Sequence, residues 1–115
     1  MKQHKAEVWL VNTGWSGGAY GAGARMKLKF TRAVIDAIHS GALADAPVET
    51  DPIFGLNVVT KCEGVADETL APKKAWADKA AYETTAEKLA ELFSDNFKTY
   101  ESGVSDGVKA AGPKA

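Results

Sequence analysis

The chain has 115 residues, a formal net charge of -1, 45% apolar residues and 25% charged residues. That length suits one domain or a piece of one, and the composition is that of an ordinary soluble globular protein. The near-neutral charge argues against general nucleic-acid binding, which rests on many phosphate contacts and a basic surface. A single cysteine, Cys62, excludes an internal disulfide and is in keeping with a reducing compartment. No apolar stretch approaches the roughly 20 residues needed to cross a bilayer. The basic N-terminus carries an apolar run too short for a signal peptide. The expectation is a soluble cytoplasmic protein with no membrane partner.

In chain order, residues 7–12 (EVWLVN) are almost unbroken in apolarity, which predicts a strand buried on both faces. A loop with Gly14, Gly17, Gly18, Gly21 and Gly23 follows. Residues 25–30 (RMKLKF) alternate, with Met26, Leu28 and Phe30 on one side and Arg25, Lys27 and Lys29 on the other. Period-two alternation predicts a strand with one buried face.

Thr31 is placed to cap a helix over 32–41, whose stripe is Val34, Ile35 and Ile38 and whose stop is Gly41. Residues 45–52 (DAPVETDP) read as a turn-rich connection. Residues 53–62 read as extended, with Gly55 as a bulge. Residues 71–100 are helical, with Ala86, Leu89, Ala90, Phe93 and Phe97 on one face. The tail, 101–115, reads as irregular or partly ordered. There is no internal repeat.

Glycines let backbone N–H groups approach an anion, so the loop is a candidate anion or nucleotide contact. The other reading is a flexible hairpin between two strands. The loop is not a P-loop: Ala24 and Arg25 follow Gly23 where GxxxxGK[ST] demands a lysine and a hydroxyl residue. Nor does a GxGxxG open a helix. Arg25 could stack on a purine or pair with phosphate, or it could lie on a solvated strand face. His4 and His39 lack partners at metal-ligand spacing. Cys62 reads as a partly buried structural thiol. Trp9 and Trp76 read as core or interface anchors, and Trp15, inside the loop, stays open as a ligand platform. No general base, nucleophile or metal cluster emerges.

The stretch VWLVNTGWSGGAYGAGARMKLKFTRAVIDAI resembles the C-terminal part of ATP-dependent phosphoenolpyruvate carboxykinase. The similarity runs on through DPIFGLNVVTKCEGV and LAELFSDNF to AAGPKA, and so covers nearly the whole chain. The combination of VWLVNTGW, the glycine-rich loop, Arg25 and Thr31 carries it. The resemblance implies an α/β fold, α+β for this piece taken alone, within the C-terminal nucleotide-binding lobe. Its parts would be strand–loop–strand over 1–31, helix and extended connection over 32–70, a helical region over 71–100 and a tail over 101–115.

It also implies a gluconeogenic reaction: oxaloacetate and ATP give phosphoenolpyruvate, carbon dioxide and ADP, with Mg2+ on the nucleotide and Mn2+ in the active site. On the family's pattern Arg25, Met26 and Thr31 contact ATP. The P-loop, the metal ligands and the oxaloacetate-binding arginines lie upstream of this segment in the family. The chain is therefore expected to be inactive alone, with Met1 an internal methionine, and to have the N-terminal part of the enzyme as its partner. The alternative is a non-catalytic stand-alone module that binds a nucleotide or a partner.

Overall fold

The computed structural model describes residues 3–114. Two small antiparallel hairpins and a set of helices make it α+β. Among the described residues there is no parallel ladder, so the α/β expectation gives way to its α+β form.

The first hairpin pairs β1 (Trp15–Ser16) with β2 (Ala24–Arg25) around the glycine-rich loop 17–23. Helix α1 (Leu28–His39) follows at once. A second hairpin joins β3 (Val48–Thr50) to β4 (Asn57–Val59) in the register Val48↔Val59. Two single-turn helices, α2 (Asp67–Leu70) and α3 (Pro72–Ala75), lead into the long α4 (Lys79–Phe97). A 3-10 turn (Glu101–Gly103) and the short α5 (Asp106–Lys109) complete the described chain.

The strand expected at 7–12 does not form. These residues join no ladder, and Val8 and Leu10 are 67% and 86% exposed. A strand buried on both faces needs a neighbour on each side and layers above and below. No described segment supplies them.

The strand expected at 25–30 ends at Arg25. Leu28 and Phe30 belong to α1, where residues two apart fall on different faces: Leu28 is exposed and Phe30 packs on the core. The helical spacing of Phe30, Ala33, Val34, Ala37 and Ile38 outweighs three alternating positions. Thr31 is accordingly not the cap. Lys27 holds that place with extended backbone (φ -67°, ψ 134°) and makes no side-chain cap bond. Gly41 does end the helix. Its φ is +81°, and its N–H bonds the Ile38 carbonyl at 3.1 Å.

The connection 45–52 contains β3, which its exposed three residues did not advertise. Gly55 is a turn rather than a bulge. The Asp51 carboxylate accepts from the N–H groups of Ile53 (2.9 Å) and Phe54 (2.7 Å). Gly55 at φ +68° then donates to the Asp51 carbonyl at 2.9 Å, which closes the hairpin. The region 71–100 is helical but broken at Trp76–Asp78. There Asp78 caps α4 through Ala81 N–H at 3.0 Å. Across the break, the Lys79 ammonium donates to the carbonyls of Lys73 (2.8 Å), Lys74 (2.9 Å) and Trp76 (2.6 Å). It satisfies the acceptors that a helix end leaves open. The tail is more ordered than expected: besides its helical turns, Lys114 N–H bonds the Ile53 carbonyl at 2.7 Å.

The core is small. Leu43, Cys62 and Val65 are buried under the apolar stripe of α1, with Val59 of β4 and Leu70 of α2 alongside. On α4, Ala86 and Ala90 are buried, whereas Leu89 and Phe93 of the same expected face stay about half exposed. The radius of gyration is 15.6 Å, against about 13 Å for a self-contained domain of this length. The extents of 41 × 37 × 21 Å describe a slab with apolar surface left open.

Candidate functional site

The first hairpin is built by close backbone approach. A Cβ on Gly23 would lie 2.4 Å from the Gly18 carbonyl oxygen and 2.7 Å from that of Ser16, so only glycine lets the two strands meet there. Within the loop, the N–H groups of Ala22 and Gly23 both bond the Ala19 carbonyl, at 3.0 and 2.9 Å. At the open end, Met26 N–H bonds the Gly14 carbonyl at 2.9 Å, and Gly14 N–H bonds Asn12 Oδ1 at 3.1 Å. The loop rests on the end of α3, where a Cβ on Gly17 would meet the Ala75 carbonyl at 3.1 Å.

This frame sets Trp15 opposite Arg25. The guanidinium carbon of Arg25 lies 5.7 Å from the Trp15 ring centroid, within cation–π range. Tyr20, from the loop, meets Trp15 edge-on with centroids 5.1 Å apart and planes at 82°. Arg25 is exposed and makes no ion pair among the described residues. Arg25 is thus held by aromatic contact, not by a carboxylate, and its N–H fork is available to an anion.

Met26 is half-buried at the exit of β2, its backbone N–H already engaged. Thr31 is half-buried in the first turn of α1, and its hydroxyl makes no hydrogen bond within the described residues. The structure therefore joins Arg25 to Trp15, which in turn meets Tyr20, with Met26 next to Arg25 in the chain, and sets Thr31 a turn further along. No described hydrogen bond links Thr31 to Arg25. Tyr20 was not singled out by the sequence, and its only signal there was an aromatic side chain inside a glycine-rich loop.

Two concavities lie elsewhere. One, of about 560 Å³, sits beside α1 and is lined by Ala37, Leu43, Lys61, Cys62 and Glu63 among others. Burial, then the neighbouring Glu63 carboxylate, pushes the Cys62 thiol above its ordinary range, as befits a structural residue and not a nucleophile. The second, of about 320 Å³, lies between the second hairpin and α4, with Asp51, Lys73, Tyr82 and Glu87 on its walls. Lys73 pairs there with Glu83. Tyr82 is raised first by burial and then by Asp51, with Lys73 opposing. Arg25, Met26 and Thr31 line neither concavity. Among the described residues, no group of three or more His, Cys, Asp or Glu side chains could hold a metal ion. No helix among them is long and apolar enough to cross a membrane.

Residues 1–68 match the family model for phosphoenolpyruvate carboxykinase. The chain is 49% identical over 114 residues to phosphoenolpyruvate carboxykinase (ATP) 2 of Salinibacter ruber, an alignment that covers 99% of this chain and 22% of that protein. It is 49% identical over 113 residues to the ATP-dependent enzyme of Dictyostelium discoideum, covering 98% of this chain and 20% of the relative. Against that of Thermus thermophilus it is 49% identical over 114 residues, covering 99% and 22%. The chain belongs to the phosphoenolpyruvate carboxykinase family, as a segment that spans about a fifth of the length of these relatives.

Proposed function

We propose that the chain is the C-terminal segment of an ATP-dependent phosphoenolpyruvate carboxykinase, placed in the nucleotide-binding lobe. There it contributes Arg25, Met26 and Thr31 to the ATP pocket. The observation that carries the reading is near-50% identity to ATP-dependent enzymes across almost the whole chain. The site geometry supports it: an arginine with no ion pair among the described residues, held on an aromatic ring beside a half-buried methionine, is a wall that a purine and its sugar can lie against.

The complete enzyme would convert oxaloacetate and ATP to phosphoenolpyruvate, carbon dioxide and ADP in the cytoplasm, as a step of gluconeogenesis. Mg2+ and Mn2+ would neutralise phosphate and substrate charge in that reaction. On this reading their ligands would come from outside this segment. Exposed Val8 and Leu10 fit a segment whose apolar run is covered by other parts of a longer polypeptide.

Arg25→Ala in the complete enzyme tests the assignment. The expected result is a raised KM for ATP with the KM for oxaloacetate unchanged. An unchanged KM for ATP refutes Arg25 as a nucleotide contact.

A further inference from the structure

An exposed arginine is a poor ligand unless something selects its direction, because its long side chain otherwise samples many rotamers. Arg25 has no carboxylate to select it among the described residues. What it has is Trp15, its opposite number across the antiparallel ladder, on the same face of the hairpin. The 5.7 Å cation–π contact defines where the guanidinium sits. The edge-on ring of Tyr20 at 5.1 Å defines where Trp15 sits. The backbone keeps both in register: Gly23 fits against Ser16 and Gly18 on one side, and Met26 N–H bonds Gly14 on the other.

We propose that Trp15 is a positioning residue for the nucleotide. It holds the Arg25 guanidinium in the orientation that meets ATP, with Tyr20 as its buttress, and acts on the nucleotide only through Arg25. This rests on the reading of Arg25 as an ATP contact. The glycine-rich loop then has a specific structural role, since it brings a tryptophan and an arginine ten positions apart in the chain into one stack.

The test is a mutant cycle in the complete enzyme that contains this segment, reading kcat and the separate KM values for ATP and oxaloacetate. Trp15→Leu is expected to raise the KM for ATP about two- to fivefold, the range of an exposed cation–π contact, and to spare that for oxaloacetate. Trp15→Phe, which keeps an aromatic face, is expected to recover most of the loss. In an Arg25→Ala background, Trp15→Leu should have no further effect. If Trp15→Leu raises the KM for ATP by the same factor with and without Arg25, Trp15 acts independently and the positioning role is wrong, while Arg25 keeps its assignment. If neither Trp15 variant changes the KM for ATP while Arg25→Ala does, the positioning role is again wrong. If Arg25→Ala itself leaves the KM for ATP unchanged, the nucleotide reading fails and takes this inference with it.

Discussion

Gly23→Ala isolates the device on which the first hairpin depends. The added Cβ would stand 2.4 Å from the Gly18 oxygen, 2.7 Å from the Ser16 oxygen and 2.9 Å from the Gly18 carbonyl carbon. A relaxed carbon–oxygen contact needs about 3.3 Å or more, so the deficit approaches an ångström. All three atoms are backbone, and no rotamer change relieves them. The strands must part. Parting releases the bonds Met26 N–Gly14 O, Gly23 N–Ala19 O and Ala22 N–Ala19 O. At about 0.5–1.5 kcal/mol net each, their loss amounts to about 2–4 kcal/mol of local stability. The buried residues Leu43, Cys62, Val65, Ala86 and Ala90 all lie outside the hairpin, so the damage should stay there. Amide exchange is the assay. Met26 N–H should exchange about 30- to 1000-fold faster, while Ser40 N–H, bonded to the Asp36 carbonyl within the α1 terminus, holds its rate. Gly21→Ala is the control. Gly21 has φ +90° but nothing within 4 Å, so its variant carries backbone strain alone, about 1–2 kcal/mol. Unchanged exchange at Met26 in Gly23→Ala, or equal acceleration at Ser40, would refute the reasoning.

Lys79→Met keeps the stem of the side chain and removes three hydrogen bonds to the end of α3. On an exposed residue the cost should be about 1 kcal/mol, read as a lowered thermal midpoint that Lys79→Arg partly restores. Asp51→Ala leaves the N–H groups of Ile53 and Phe54 unpartnered in the second turn. It should cost about 1–2 kcal/mol in urea unfolding, and Asp51→Asn, which can still accept, should cost less. Tyr82 has a folded pKa raised above its ordinary 10.0, chiefly by burial. Its contribution to stability is therefore complete below about pH 10 and is lost as the pH climbs through the folded pKa. Tyr82→Phe should flatten the fall of the urea midpoint as the pH rises above about 10, and an unchanged slope would show that the phenol does not feel its surroundings.

What could be read from the chain follows the range of the interactions involved. The α1 stripe and the Gly41 stop are local: residues three and four apart share a face, and a positive φ asks for glycine. The long helix at 79–97 was visible for the same reason, with Ala86 and Ala90 correctly on its buried side. The break at Trp76–Asp78 was not visible, because it depends on the Lys79 ammonium reaching back to three carbonyls. The strand expected over 25–30 failed because the helical spacing that begins at Phe30 outweighs alternation at three positions. Of the candidate nucleotide residues, Arg25 was open to that role from its own chemistry beside a glycine-rich loop, whereas Met26 and Thr31 came from family resemblance. Their settings differ accordingly, Arg25 in a stack, Met26 in a backbone bond and Thr31 on the helix.

Residues 7–12 mark where a local reading meets its physical bound. Their apolarity is real information, since Val8 and Leu10 would each gain about 1.5–3 kcal/mol from full burial. That energy is available only against a partner, and strand pairing is a non-local event which no window of six residues contains. Here the described residues offer no ladder, and the two side chains stay in water. A polypeptide that keeps such residues exposed forgoes several kcal/mol, a large share of a small domain's whole stability. The proposed place in a larger nucleotide-binding lobe removes that conflict. There strands from the rest of the enzyme would flank 7–12, and the hairpin that carries Trp15 and Arg25 would grow directly from the end of a buried strand. Rigidity would then reach Arg25 from two sides, through the strand before Trp15 and through α1 after Met26. That is the condition under which one arginine orientation can matter to a bound nucleotide.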